Sequence, residues 1–168
     1  MLTLATLLLF PALMSFAASS DLFTMTISNY ISIALVAGFV ALAFALGMDA
    51  QTVLWHLACG VTVLAVTFTL FAFGWIGGGD AKLAAATAVW LGFARIVEYG
   101  TLASVLGGVL TLGMLWMRGL TVPPKLAATD WFARLHKKDN GVPYGIALAA
   151  AGLLLYPETA IWLAAASR

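Results

Sequence analysis

Two aspartates carry the chemistry this sequence could perform. Asp21 follows the uncharged stretch 1–20, and Asp80 closes the run Gly74-Trp75-Ile76-Gly77-Gly78-Gly79-Asp80. An acid at membrane depth is costly and is functional by default, whereas an acid at a span end can simply reach water. The glycines favour the first reading. Three in succession give the backbone access to positive φ and let another segment approach closely, and a plain loop has no need of them before an acid. Two carboxylates brought near each other cannot easily both ionise, so they can share one proton. One can then deprotonate an attacking water while the other protonates a carbonyl oxygen or leaving amine.

The elements that must position these acids follow from composition. Of 168 residues, 63% are apolar and 9% charged, with a mean hydropathy of +1.04, against about 25% charged in soluble domains. So much apolar area cannot be buried in one small soluble core. A soluble enzyme, a nucleic-acid binder and a disordered linker are excluded, and a net charge of +1 implies no attraction to nucleic acid. The single cysteine, Cys59, excludes an intrachain disulfide and a cysteine-only zinc site.

The runs 1–20, 22–48 and 50–79 contain no charge. They predict spans near 2–19, 30–47 and 52–73, with further spans near 81–97, 99–117 and 143–164. The fourth is short, with Lys82 and Arg95 at its ends. In a bilayer such runs must be helices, because backbone groups have to be satisfied internally. The expectation is an all-α polytopic membrane protein of about six transmembrane helices, one domain over 1–168. Ser15-Phe16-Ala17-Ala18-Ser19 resembles a signal-peptide cleavage site, but the segment has no positive n-region and contains Pro11, which favours an uncut first span.

Asp21 and Asp80 are separated by two spans and so share a side. If the fourth and fifth segments both cross, that side also collects Lys82, Arg118, Lys125, Arg134, Lys137 and Lys138, leaving Arg95 and Arg168 opposite. The asymmetry places the aspartates in the cytoplasm and both termini outside.

The remaining polar residues have plainer readings. His56, mid-span, suits a helix–helix hydrogen bond better than a metal site, since partner ligands are missing. Arg95 and Glu98 can pair, three residues apart. Asp49 and Glu158 fall on the external side without glycine context. Lys82 reads as an interfacial anchor, or as a group that steadies a carboxylate or a substrate carbonyl. Asn29 can cap the second span or orient Asp21. Trp55, Trp75, Trp116 and Trp162 lie near span ends, as interfacial anchors do. Within 118–142, Ala128, Trp131, Phe132 and Leu135 recur at helical spacing with Arg134, Lys137 and Lys138 off the stripe, which predicts a short amphipathic helix on the anionic inner leaflet.

Here a family resemblance enters. Gly77-Gly78-Gly79-Asp80-Ala81-Lys82-Leu83 resembles the Gly-x-Gly-Asp motif of intramembrane aspartic peptidases, in the form found in type IV prepilin peptidases. Asp21 with Ile27-Ser28-Asn29 resembles that family's first aspartate box, Ser28 standing where the family has proline. Val142-Pro143-Tyr144-Gly145-Ile146-Ala147 resembles the opening of the last span in its small members. The resemblance implies a hydrolase of the bacterial inner membrane that cuts the basic leader from a prepilin or pseudopilin just after a glycine, for pilus assembly. It implies Asp21 and Asp80 as catalytic residues and Gly77, Gly78 and Gly79 as the loop at which substrate approaches. Asn29, Lys82, Pro143 and Tyr144 are the supporting residues. No metal and no cofactor is expected. Larger members also N-methylate the new terminus and carry a cytoplasmic cysteine cluster that this sequence lacks, so that activity is not carried over. A small proton-coupled transporter and a non-catalytic membrane assembly subunit are the competing functions. Transporters bind near the midplane, while both acids here lie at one face, and a transporter gives the glycine run no role.

Overall fold

The computed structural model describes residues 1–123, 125, 128–137 and 140–166, and these are all-α, without strands. In chain order the helices are α1 (Leu2–Thr24), α2 (Asn29–Ala45), α3 (Ala50–Ala72), α4 (Gly78–Arg118), α5 (Asp130–His136), α6 (Gly145–Leu155) and α7 (Ala160–Ala166), with a 3-10 turn, Tyr156–Glu158, before α7. Lys138, expected on the cytoplasmic side, and the terminal Arg168, expected opposite, lie outside the described residues.

Local chemistry sets the boundaries. Ser28 caps α2, its hydroxyl accepting the Tyr30 N–H at 3.3 Å. Asp49 caps α3 more firmly: its Oδ1 accepts the Thr52 N–H at 2.9 Å and its Oδ2 the Thr52 hydroxyl at 2.6 Å. The Thr52 hydroxyl, then the Thr52 amide, hold the Asp49 carboxyl below its usual range.

Six separate spans are not what the fold presents. By length and composition α1, α3 and α4 can cross a bilayer, and the pair Gly145–Glu158 and Ala160–Ala166, bent by 48°, makes a fourth. Helix α2 is apolar throughout but only 17 residues long. The runs expected as spans 81–97 and 99–117 form one helical element, α4, interrupted inside the first run. Gly92 breaks it with φ 65° and ψ 178°, a conformation that suits glycine. Beyond Gly92 the chain folds back. Asp80 and Ala84 from before the break line one cavity with Tyr99, Ala103 and Ser104 from after it. In a straight helix Ala84 and Tyr99 would stand roughly 20 Å apart. The arm before Gly92 rises only about 20 Å, too short to cross alone.

That first arm is the middle of the bundle. From Leu83 to Gly92 every residue is buried, as expected of a helix apolar on all sides. Its alanines, Ala81, Ala84, Ala85, Ala86 and Ala88, let neighbouring helices come close, the means by which helices associate where apolar burial alone drives nothing. Trp90 anchors the packing. Its ring meets Phe10 of α1 at 5.0 Å, Phe39 of α2 at 5.7 Å and Tyr156 at 5.8 Å between centroids. Its Nε1–H donates to the Leu35 carbonyl at 2.9 Å. Large apolar side chains such as Leu4, Phe16, Ile33, Phe68, Val109 and Leu115 point outward, an apolar exterior matched to lipid. The protein is a multi-pass membrane protein.

The bundle has two ends. Thr6, Asp49, Arg95 and Glu158 mark one; Asp21, Asp80 and Gly145 mark the other. At the first, the Tyr156 hydroxyl donates to the Thr6 carbonyl, and Arg95 pairs with Glu98 at 2.8 Å and Glu158 at 2.9 Å. The expected Arg95–Glu98 pair is therefore present and extended to a third residue.

Candidate active site

Asp21 sits in the last turn of α1, which Met25 closes in the left-handed conformation with its N–H on the Asp21 carbonyl at 2.8 Å. The side chain is 5% exposed, so Asp21 is no solvated loop residue. Its Oδ2 accepts the N–H of Gly145, the first residue of α6, at 2.8 Å. A carboxylate at a helix N-terminus meets unsatisfied N–H groups and the positive end of the helix dipole.

Asp80 lies in the first turn of α4, not in the preceding connection. Gly77 is the N-cap, and the Asp80 carboxylate three residues on accepts the Gly77 N–H, the reciprocal half of a capping box. Ile27 packs against Gly79, next to Asp80, and against Gly145, which holds Asp21. Helices α1 and α4 thus bring the two acids to one end of the bundle.

Of the two uses expected of the glycine run, positive φ and close approach, the structure shows the second. None of Gly77, Gly78 and Gly79 has a positive φ; among the described glycines of this turn only Gly74 does, at 74°. What the run supplies is space. A Cβ on Gly79 would stand 3.2 Å from Ile27 Cβ, one on Gly78 3.2 Å from the Phe71 ring, and one on Gly77 2.8 Å from the Asp80 Oδ2. Gly145 is tighter still: a Cβ there would meet Ile27 Cδ1 at 2.7 Å and Asp21 Oδ2 at 2.8 Å. Ile27, in the turn after α1, is thereby wedged between the glycines that precede the second acid and the glycine that holds the first.

The expected supporting residues divide. Pro143 is fully buried. Tyr144 donates its hydroxyl to the Ala103 carbonyl at 3.1 Å and lays its ring over Gly107, where a Cβ would lie 2.2 Å from ring atoms. Together they fix the start of α6, and with it the Gly145 N–H, against the second arm of α4. Lys82 donates to Asn29 Oδ1 at 2.8 Å, tying α4 to α2 at an exposed position. Asn29 is not the cap of α2, which is Ser28. His56 makes the expected interhelical bond, Nδ1 to the Val89 carbonyl at 2.8 Å. No group of three or more His, Cys, Asp or Glu that could hold a metal occurs among the described residues.

Part of the amphipathic stripe expected within 118–142 packs on protein. Helix α5 is only 7 residues long. Its Leu135 is buried, its Trp131 packs edge-on against Phe23 of α1 at 5.6 Å, and its Arg134 donates to the Phe23 carbonyl at 2.7 Å. The buried Arg118 donates to the carbonyls of Leu135 and Gly141, each at 2.8 Å. Trp131 and Arg134 thus hold α5 over the end of α1 that carries Asp21.

Ile27 and the Gly145 N–H carry roles not assigned from the sequence. Both residues lie inside the quoted motifs, and their spacing from the acids is the available signal.

Two carboxylates on separate helices, each steadied by a backbone N–H and both free of ion pairs among the described residues, can exchange a proton with a substrate between them. The sequence model of the type IV leader peptidase family matches residues 8–112, a stretch holding both aspartates and the glycine turn. The chain belongs to the type IV leader peptidase family. The Pro143-Tyr144-Gly145 motif lies beyond the matched stretch of this leader peptidase relative, yet folds back onto Asp21. No curated protein and no solved structure matches the chain significantly.

Proposed function

We propose that the protein is an aspartic endopeptidase that removes the leader peptide from prepilin-type substrates at the cytoplasmic face of the bacterial inner membrane. The observation carrying this reading is the convergence of the Asp21 and Asp80 positions at one end of the bundle, where Ile27 packs between Gly79, next to Asp80, and Gly145, whose N–H holds Asp21. One carboxylate takes the proton of the attacking water and the other, protonated, gives its proton to the departing amine. The Gly145 and Gly77 N–H groups hold the two side chains so that neither must reorganise as charge moves. Cytoplasmic orientation is supported by the basic residues of the same end, Lys82, Arg118 and Arg134, against Arg95 at the other. Co-expression with a prepilin should show leader removal as a mobility shift, and Asp21→Asn and Asp80→Asn should each abolish it at unchanged membrane abundance. A full shift with either variant overturns the two-aspartate reading.

A further inference from the structure

Arg118 ends the second arm of α4 and is only 7% exposed. A cation that merely sets membrane topology belongs among the headgroups and needs no particular partner. Burying one is costly unless its donors are satisfied. No acid stands in ion-pair range of Arg118 among the described residues. Its donors go instead to two carbonyls, Nε to Leu135 and Nη2 to Gly141, each at 2.8 Å. The planar guanidinium fork fixes both directions at once.

Each carbonyl leads to Asp21 by its own route. Leu135 lies in the last turn of α5, beside Arg134, whose Nη2 donates to the Phe23 carbonyl at 2.7 Å. Phe23 stands two residues after Asp21 in α1. Gly141 opens a short strut. Within it the Tyr144 N–H donates to the Val142 carbonyl at 2.8 Å and Pro143 is fully buried. The strut ends at Gly145, whose N–H holds Asp21 Oδ2 at 2.8 Å. Asn140 ties the two routes together, its Nδ2 donating to the Arg134 carbonyl at 2.8 Å.

We propose that Arg118 is a positioning residue for Asp21, setting the carboxylate through the Gly145 N–H and the Phe23 carbonyl. The inference rests on the peptidase reading of Asp21. Arg118 exchanges no proton itself, because a guanidinium stays charged. It lies beyond the stretch 8–112 that the family model matches, so this hold on the first aspartate belongs to the chain's own connector.

The test uses the full-length protein in proteoliposomes. Amide hydrogen exchange is followed at Gly145 and, for reference, within α3, and kcat and KM are measured on a prepilin. In Arg118→Gln, exchange at Gly145 should quicken roughly tenfold or more, the worth of a hydrogen bond from a charged group, with α3 unchanged. kcat should fall by about tenfold to 10²-fold, as small misplacements of a reacting group cost, with KM nearly unaltered. Arg118→Lys keeps the charge without the fork and should recover part of both losses. It also keeps the proposal open to failure should Arg118→Gln not fold. A residue that only holds the fold together gives quickened exchange in α3 as well, with kcat per folded molecule preserved. That result overturns the proposal, as does unchanged Gly145 exchange in both variants, or quickened Gly145 exchange at full kcat. Failure of the unaltered protein to cleave any prepilin overturns the peptidase reading, while the Gly145 exchange still decides whether Arg118 sets the hold on Asp21.

Discussion

The two ends of the bundle hold acids in opposite ways. At one end, Glu98 and Glu158 share the Arg95 guanidinium, and Asp49 is spent on capping α3. At the other, Asp21 and Asp80 each accept a backbone N–H, with no cation in ion-pair range among the described residues. An acid paired with a guanidinium or fixed as a cap has its charge committed to structure. An acid held by an amide keeps a fixed position and an uncommitted proton. The first arrangement builds a protein, and the second leaves groups able to do acid–base work.

The sharpest way to test that contrast is to move a carboxylate without removing it. Asp21→Glu or Asp80→Glu lengthens the side chain by one carbon–carbon bond, and about 1 Å of misplacement can cost ~10²-fold in rate. Steady-state cleavage of a prepilin should show that loss, while Asp49→Glu at the far end should leave cleavage unchanged.

Next come the glycines, one at each end. Gly145→Ala forces a methyl against Asp21 Oδ2 and Ile27 Cδ1, an overpacking worth about 1–3 kcal/mol, and cleavage should fall with it. Adding Ile27→Ala relieves the apolar clash alone. Stability should then recover more than activity does, because the carboxylate is still displaced. Gly92→Ala puts a side chain at φ 65°, 2.9 Å from His56 Cε1. Its cost of about 1–3 kcal/mol should appear in thermal stability, with kcat per folded molecule preserved.

A smaller effect is expected from the connector. Trp131→Ser with Phe132→Ser removes the edge contact on Phe23, so limited proteolysis of the connector should quicken. Cleavage of substrate should drop less than for any aspartate change, and complete loss in an inserted protein would show that α5 contacts substrate.

The smallest effect belongs to Asp49. Its carboxyl is held below the usual range by Thr52, so its stabilising contribution is complete at neutral pH. It is lost only as pH falls through that lowered value, below about pH 4. Asp49→Asn should remove that acid-side loss of thermal stability and leave leader cleavage as it was.

Much of this contrast was legible in the sequence, and the failures have physical causes. Charge marked the acids, and uncharged runs marked α1 to α3, because lipid admits little else. Charge misled at Arg95 and Glu98, which were read as the limits of two spans. They satisfy each other and Glu158, so the helix runs on through them. The real break falls at Gly92, whose signal is one glycine among apolar residues. Pro157 broke the last span in the same quiet way, through the 3-10 turn at Tyr156–Glu158. Close approach at the glycine run is legible in the sequence, but what approaches, Ile27 and Phe71, only the fold brings near. The hold of Gly145 on Asp21 spans 124 positions, and a backbone N–H has no side-chain signature to read.

The most direct measurement is single-turnover cleavage of a reconstituted prepilin by Asp21→Asn, Asp80→Asn and the double variant, each quantified for folded protein in the membrane. Two carboxylates acting as one unit lose nearly everything when either is removed. Each single variant should therefore fall by about 10³-fold or more, and the double variant should be scarcely slower than either. Losses that multiply in the double variant, or a single variant that cleaves at the unaltered rate, would contradict a shared site at Asp21 and Asp80.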